Sequence, residues 1–159
     1  MNKQAIIDKL IEKLEAERNT LFEAARNTYE AATHEESEAE DQYDTRGLEA
    51  SYLAGAQAKR VADVEQAISV YKQLIPKKFT DSDPIGSTAL VELDHDGKIT
   101  HVLLLPLGGG MSLMDQGKQI QVISPQSPIG EALIGRLPGD VAIVDKGDET
   151  REYEIVSVV

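Results

Sequence analysis

The 159-residue sequence contains no cysteine and no tryptophan, and only 4% of its residues are aromatic. The absence of cysteine excludes disulfides, thiolate metal sites and cysteine nucleophiles. With so few aromatic rings, any core must be largely aliphatic. The three histidines are scattered and too few for a histidine-rich metal cage. The chain therefore carries no signal for thiol chemistry or for a metal centre built on histidine.

Positive charge and long apolar segments are also scarce. Sixteen Lys and Arg against 28 Asp and Glu give a net charge of −12, which disfavours binding of nucleic acid through a broad basic face and binding to a membrane surface. No window approaches 18 apolar residues, and the charged N-terminal segment lacks the apolar stretch of a signal peptide. We expect a cytoplasmic protein with no membrane partner.

The composition changes abruptly at Pro76. No proline precedes it, whereas residues 76–159 hold all six prolines and ten of the 12 glycines. Such a change marks a domain boundary. We predict an α+β protein with one domain over residues 1–76, a linker over residues 77–83 and a second domain over residues 84–159.

The first domain carries the heptad pattern of two helices that fold back on each other. Its apolar a and d positions are Ile7, Leu10, Leu14, Leu21, Ala24 and Ala31 on the first arm and Ala50, Ala54, Val61, Val64, Ile68, Tyr71 and Ile75 on the second. Antiparallel pairing of Ile7 with Ile75 and of Leu21 with Val61 places the turn near residue 41. We therefore predict an antiparallel coiled-coil hairpin.

The second domain alternates short β-like runs with turns. A hairpin is predicted over residues 88–105 around an Asp-Gly turn, with further strands at residues 118–123, 141–145 and 153–158. Residues 127–135 predict a short helix, because Ser127 can cap it, Pro128 suits its first turn and Gly135 ends it. This half should contain four or five strands and one helix.

Two other features of the second domain are interpreted as structural. The glycines at residues 108–110 predict a flexible turn, since no Gly-Lys-Ser/Thr phosphate-binding sequence follows them. His95 lies in a predicted turn and His101 in a predicted strand, and neither has an identifiable catalytic partner.

The predicted end of the hairpin is strongly acidic. Residues 30–45 contain seven carboxylates and no Lys or Arg. An acidic run of this kind is most often a solvated loop. At the end of a long hairpin, however, carboxylates can be inserted into the site of a partner. The spacing of three between Glu38 and Asp41, and between Asp41 and Asp44, puts each pair on one side of a helical turn, and hard oxygen ligands suit Mg²⁺.

The sequence ISPQSPIGEALIGRLPGD, at residues 123–140, resembles the signature of the Gre family of bacterial transcript-cleavage and elongation factors. The resemblance implies an N-terminal antiparallel coiled coil followed by a C-terminal domain with an FKBP-like fold. It also implies that the C-terminal domain docks on RNA polymerase, and we assign the docking to Ser124, Pro125, Ser127, Pro128, Ile129 and Gly130.

The resemblance further implies that the coiled coil enters the secondary channel of bacterial RNA polymerase and reaches the 3′ end of backtracked RNA indirectly. Asp41 and Asp44 are then the expected catalytic pair, and the metal-directed set is Asp41, Asp44, Glu38 and Glu40. The Mg²⁺ would be shared with the polymerase active centre and not held stably by this chain alone. The protein would act as a monomer and stimulate the polymerase's own cleavage, without being an enzyme by itself.

Two other hypotheses stay open. Residues 41–45 read D-x-x-D-T where cleavage-competent family members carry D-x-x-E-N, and a count without gaps places Glu40 and Tyr43 on the acidic pair. A non-cleaving regulator that occupies the same channel and inhibits or modulates the polymerase fits this departure. A chaperone or prolyl isomerase rests on the FKBP-like fold alone, and both phenylalanines lie outside residues 84–159, which leaves a proline pocket without aromatic walls.

Overall fold

A computed structural model describes residues 1–33 and 55–159 of the chain. Its elements are two long helices, a six-stranded sheet and one short helix: α1 (Lys3–Thr33), α2 (Ala56–Gln73), β1 (Leu90–His95), β2 (Lys98–Leu104), β3 (Ser112–Asp115), β4 (Lys118–Ile123), α3 (Pro128–Leu133), β5 (Val141–Lys146) and β6 (Glu149–Val158). This content confirms the predicted α+β class. In these ranges, no helix is both long and apolar enough to cross a membrane.

The chain divides into two compact units. One unit is Ile11–Lys72, and the other joins Met1–Leu10 to Gln73–Val159. The first ten residues thus group with the C-terminal part of the chain, whereas the sequence placed them in the coiled coil. Their partners, described below, account for this grouping.

In the helical unit, α2 follows the predicted spacing of three and four residues. Val61, Val64, Ile68 and Tyr71 are all buried. Burial raises the pKa of the Tyr71 hydroxyl to about 12. These side chains form one apolar stripe along α2, as the heptad pattern predicts.

Two predicted positions of the stripe are wrong. On α1, Ala25 is buried and the expected Ala24 is exposed. Ala25 lies eleven positions after the buried Leu14, which is close to three turns of a straight helix, so α1 keeps its own period rather than a strict seven-residue repeat. Ile75 is 89% exposed, because α2 ends at Gln73 before Pro76, and it therefore does not pair with Ile7.

Two ion pairs indicate the relative direction of the helices in this unit. Glu15 binds Lys72 at 2.9 Å, and Glu17 binds Arg60 at 2.6 Å. The later residue on α1, Glu17, binds the earlier residue on α2, Arg60, as expected for antiparallel helices. The hydrogen bond from Lys72 lowers the pKa of Glu15. Exposed ion pairs of this kind are screened by water and contribute little to stability.

In the C-terminal unit, the sheet has the order β3-β4-β2-β1-β6-β5, and only the β2–β4 pair is parallel. Asp96 and Gly97 have φ of 52° and 80°, so the predicted Asp-Gly turn joins β1 to β2. Strand β3 was not predicted. It pairs with β4 through the same kind of turn at Gln116 and Gly117, where φ is 49° and 75°, and glutamine is an unusual residue for that conformation.

The front face of the sheet carries an apolar cluster. Val91, Leu93, Val102 and Ile155 are at most 3% exposed there. The side chains that cover this face come from the segment between α2 and β1 and from α3, and they are Phe79, Ile85, Ile129, Ala132 and Leu133. The short helix and this segment therefore close the front face.

The back face carries a second set of buried residues. Alternation along the strands puts Leu90, Leu103, Ile120 and Val122 on this face, and each is at most 3% exposed. The start of α1 lies against it: Lys9 Nζ is 2.7 Å from Asp115 Oδ1 at the end of β3. Three fully buried side chains of α1 belong to the same compact unit, namely Ile6, Ile7 and Leu10. The first ten residues thus cover the back face.

The linker is ordered by a few polar contacts. Thr88 is buried with φ of 69°, a conformation that costs about 1–3 kcal/mol in a β-branched residue. Its hydroxyl accepts a hydrogen bond from the Lys77 N–H at 2.9 Å. Asp83 accepts from both the N–H and the hydroxyl of Thr80, and these bonds, with Lys77 Nζ at 3.2 Å, lower the pKa of Asp83 to about 2.

Lys3 joins the start of α1 to the linker and to β6. Its ammonium donates to the carbonyl oxygens of Lys77 and Val159, the latter at 2.8 Å, and lies 4.8 Å from the centroid of the Phe79 ring. Lys3 is only 9% exposed, and burial lowers its pKa to about 8. The two carbonyl groups and the ring face favour the ammonium form and oppose this shift.

We expect Lys3→Met to remove a pH dependence of stability. Below pH 8 the amine is protonated in both folded and unfolded chains, so its full desolvation cost is present; between pH 8 and 10.5 the unfolded chain binds the proton that the folded chain has lost. The free energy of unfolding of the wild type, minus that of the variant, should therefore rise over this window. Urea unfolding at several pH values measures it, and a difference that stays flat or falls would contradict the assignment.

Candidate functional site

The acidic residues assigned to metal and catalysis lie outside the described residues. Asp41, Asp44, Glu38 and Glu40 therefore remain a prediction, as does the Mg²⁺ they would share. In residues 1–33 and 55–159, no group of three or more His, Asp or Glu side chains could hold a metal ion. The part of the candidate site that the structure describes is the loop at residues 124–130, called the docking loop below.

Ser127 organises the docking loop through its hydroxyl. The hydroxyl donates to Ser124 O at 2.7 Å and accepts from the Gly130 N–H at 3.1 Å. Pro128 occupies the first turn of α3, where its missing N–H leaves no helical bond unmade. Ser127 is thus the predicted N-cap, and the same side chain also ties the helix back to Ser124.

Gly130 is required by a close backbone approach. It is buried, and a Cβ placed on it would lie 1.9 Å from Ser124 O. No side chain fits at that distance, so the strand end at Ser124 and the first turn of α3 can meet only at glycine. The glycine therefore fixes the shape of the docking loop rather than forming its surface.

The glycine-rich turn at residues 108–110 adjoins the docking loop, which the sequence did not predict. A Cβ on Gly109 would lie 3.4 Å from Ser124 Oγ, and the Gly110 N–H donates to Val122 O at 3.0 Å. The parallel pairing of β2 with β4 brings this turn to the end of β4. Long-range strand pairing leaves no local mark in a sequence, so only the sheet topology reveals the neighbour.

The assigned docking residues differ in their access to a partner. Pro128 is exposed, whereas Ser124, Pro125, Ser127 and Ile129 are half-buried. Ile129 packs against the front-face cluster. A partner that approaches this loop therefore meets Pro128 first, while the remaining residues hold it in place.

A second polar group lies on the back face. His101 Nε2 is 3.0 Å from Glu92 Oε2, and Lys118 Nζ is 3.8 Å from the same oxygen. These side chains line a cleft of about 160 Å³ together with Met1, Leu90, Ser157 and Val159. One carboxylate contacts both His101 and Lys118, so these polar side chains satisfy one another, which is consistent with the structural role predicted for His101.

His95 has a comparable role in the β1–β2 hairpin. Its Nδ1 lies 2.8 Å from Glu152 O, and its ring centroid is 5.0 Å from that of Tyr153. These contacts attach the hairpin turn to β6, which agrees with the structural role predicted for His95.

Gly130→Ala should destabilise the C-terminal unit by about 1–3 kcal/mol, the usual cost of forcing extra volume into a packed site. Gly86→Ala is the matched control, because no atom lies within 4 Å of a Cβ at that position. We expect the control to change stability by less than about 1 kcal/mol. Thermal unfolding of both variants tests the difference; equal stabilities would show that the docking loop tolerates a side chain at Gly130.

Comparison with known proteins places this loop in a family. The family model "Transcription elongation factor, GreA/GreB, C-term" matches residues 85–159. The chain is 29% identical over 165 residues to the transcription elongation factor GreA of Methylococcus capsulatus, with 99% of this chain and 98% of that protein covered. It is 30% identical over 154 residues to the transcription inhibitor protein Gfh1 of Thermus aquaticus, with 95% and 90% covered.

A crystal structure of Thermus aquaticus Gfh1 also matches, with a TM-score of 0.38 and 28% identity over 95% of this chain and 92% of that one. The sequence identity to full-length relatives extends through both compact units, and the docking loop lies inside the segment that the family model matches. The chain belongs to the GreA/GreB family of transcription elongation factors.

Proposed function

We propose that this protein binds bacterial RNA polymerase through the docking loop, passes its coiled coil into the secondary channel and stimulates cleavage of backtracked RNA. It acts as a cytoplasmic monomer and is not an enzyme by itself. The observation that carries the proposal is the likeness to a GreA elongation factor over 99% of the chain. An FKBP-like fold for the C-terminal unit remains a prediction.

The chemistry of the acidic residues supports a role for Mg²⁺. Asp41, Asp44, Glu38 and Glu40 supply only hard carboxylate oxygens, which suit this cation, and Mg²⁺ commonly needs just one or two protein carboxylates beside water and phosphate. A cation held there would lower the pKa of a bound water and stabilise charge on a phosphate. The carboxylates of this chain would orient that cation, and the polymerase would supply its remaining ligands.

Inhibition or modulation without cleavage is the second candidate function. Two observations favour it: a relative of 30% identity is named a transcription inhibitor, and the second acid of the pair is aspartate rather than glutamate. Aspartate is one methylene shorter, so its carboxylate reaches less far. The two functions share one channel and one acidic segment and differ in what that segment does there.

Asp41→Asn and Asp44→Asn should each slow Mg²⁺-dependent cleavage in a stalled elongation complex by about 100-fold or more, because loss of a direct ligand should cost at least as much as loss of an outer partner of the metal, which costs up to about 100-fold. An amide is nearly isosteric with the carboxylate but a poorer ligand for a hard cation. Asp63→Asn, at an exposed carboxylate on α2, is the matched control and should leave the rate unchanged. Binding to polymerase, measured in parallel, should be the same for all three.

The outcomes separate the two functions. A wild-type protein that binds polymerase but shows no cleavage at any Mg²⁺ concentration would refute stimulation, and inhibition of RNA synthesis in the same assay would establish the second function. Cleavage that survives both substitutions would move the assignment to Glu38 and Glu40.

Pro128→Ala should weaken binding to core polymerase by about tenfold, as expected for a central contact residue. The exposed position of Pro128 predicts little effect on folding. Pro84→Ala replaces another exposed proline of the same unit and serves as control. If Pro128→Ala and Pro84→Ala bound core polymerase with equal affinity, the docking loop would not be part of the interface.

A further inference from the structure

The back face of the sheet is only partly covered. Over β1, β2 and β4 the apolar residues Leu90, Leu103, Ile120 and Val122 are buried, and Ile99 at the start of β2 is 46% exposed. Over the β5–β6 hairpin, Val141 is 44% and Ile143 57% exposed. Val141 and Ile143 alternate with the buried Ala142 and Val144 of the front face, so they share the back face. We call Val141 and Ile143 the apolar shelf.

The shelf ends at a free strand edge. In the sheet formed by the described residues, β5 is the last strand and pairs only with β6. An edge strand presents backbone N–H and C=O groups that have no partner on its outer side, and these can pair with an added strand. The other edge strand, β3, has only four residues and is held at Asp115 by Lys9. The six-residue β5 is the longer edge.

The charges around the shelf have one sign. Glu154 lies opposite Val141 and Glu152 opposite Ile143, so both carboxylates share the back face with the shelf, as does Asp145 by alternation. The two basic residues of the hairpin, Lys146 and Arg151, alternate to the front face, where Arg151 lies 3.5 Å from Glu149. Among the described residues of this hairpin, the back face thus carries carboxylates and no cation.

An exposed apolar strand edge flanked by carboxylates suits one kind of binding partner. A second copy of the chain added to β5 would bring the carboxylates of one hairpin near those of the other, so like charges oppose self-pairing. An added strand with lysine or arginine at alternate positions would lay its aliphatic stems on the shelf. Glu152 and Glu154 would lie two strand spacings away, roughly 10 Å, a span that a long basic side chain and its hydrogen bond largely cover.

We propose that the β5 edge and the apolar shelf form a docking surface for an extended, basic protein segment, which adds to the sheet as a seventh strand. This surface is built by β5 and β6, whereas the docking loop is built by the end of β4 and the start of α3. The proposal does not depend on the proposed function, because it concerns binding of a peptide to the isolated protein.

A fluorescent peptide of alternating Lys and Val tests the proposal on the full chain, with a peptide of alternating Glu and Val as the negative control. We expect the basic peptide to bind with an affinity that falls as salt is added. Its binding should increase the hydrogen-exchange protection of the β5 amides. Ile143→Lys should weaken binding by about tenfold. Ile99→Lys makes the same change at a residue on β2 that is 46% exposed and should change the affinity by less than about twofold.

Three results would overturn the proposal. The first is that the basic peptide does not bind to the wild-type protein. Equal affinities of Ile143→Lys and Ile99→Lys, without added protection of β5, would show a general attraction to an acidic protein. Self-association of the wild type that Ile143→Lys abolishes would assign the edge to a second copy. Circular dichroism of both variants confirms that they are folded before affinities are compared.

Discussion

The C-terminal unit depends on one constraint: its sheet has apolar side chains on both faces, and both must be shielded from water. The segment between α2 and β1, together with α3, covers the front face, where Val91 and Val102 lie. The first ten residues of the chain cover the back face, where Lys9 binds Asp115 and Met1 lines a cleft with Leu90. Each fully buried aliphatic side chain contributes about 1.5–3 kcal/mol, so loss of either cover would expose a large part of the unit's stabilising surface. The unit is therefore assembled from both ends of the sequence, and Lys3 bonds the start of α1 to the linker and to the end of β6 at this junction.

The docking loop shows how a sequence signature can encode a shape rather than a reactive group. Ser127 binds Ser124 and caps α3 with one hydroxyl, Pro128 begins the helix, and Gly130 permits a backbone contact that a Cβ would block. None of these side chains has a perturbed charge or a buried reactive atom. The loop is suited to present a rigid surface to a partner, while any chemistry would have to come from the acidic segment elsewhere in the chain.

Much of this organisation was accessible from the sequence, and the parts that were not have physical reasons. Heptad spacing predicted the buried stripe of α2, and the Asp-Gly turn and the Ser-Pro pair predicted the first hairpin and α3. Strand β3 was missed because Gln116 is an atypical turn residue, and Ala24 was chosen over Ala25 because a straight helix drifts from a seven-residue repeat. The grouping of residues 1–10 with the C-terminal unit was not accessible from the sequence for a different reason. Ile6, Ile7 and Leu10 look the same in sequence whether they face a helix or a sheet, and only tertiary contacts distinguish the two.

The back-face cover is the central claim of this account, and native-state hydrogen exchange of the full chain tests it most directly. If residues 1–10 belong to the C-terminal unit, the amides of Ile6, Ile7 and Leu10 should exchange together with those of β1 and β2, with the same dependence on denaturant. Exchange of these three amides together with residues 11–33, while the sheet remains protected, would contradict the account and return the first ten residues to the coiled coil.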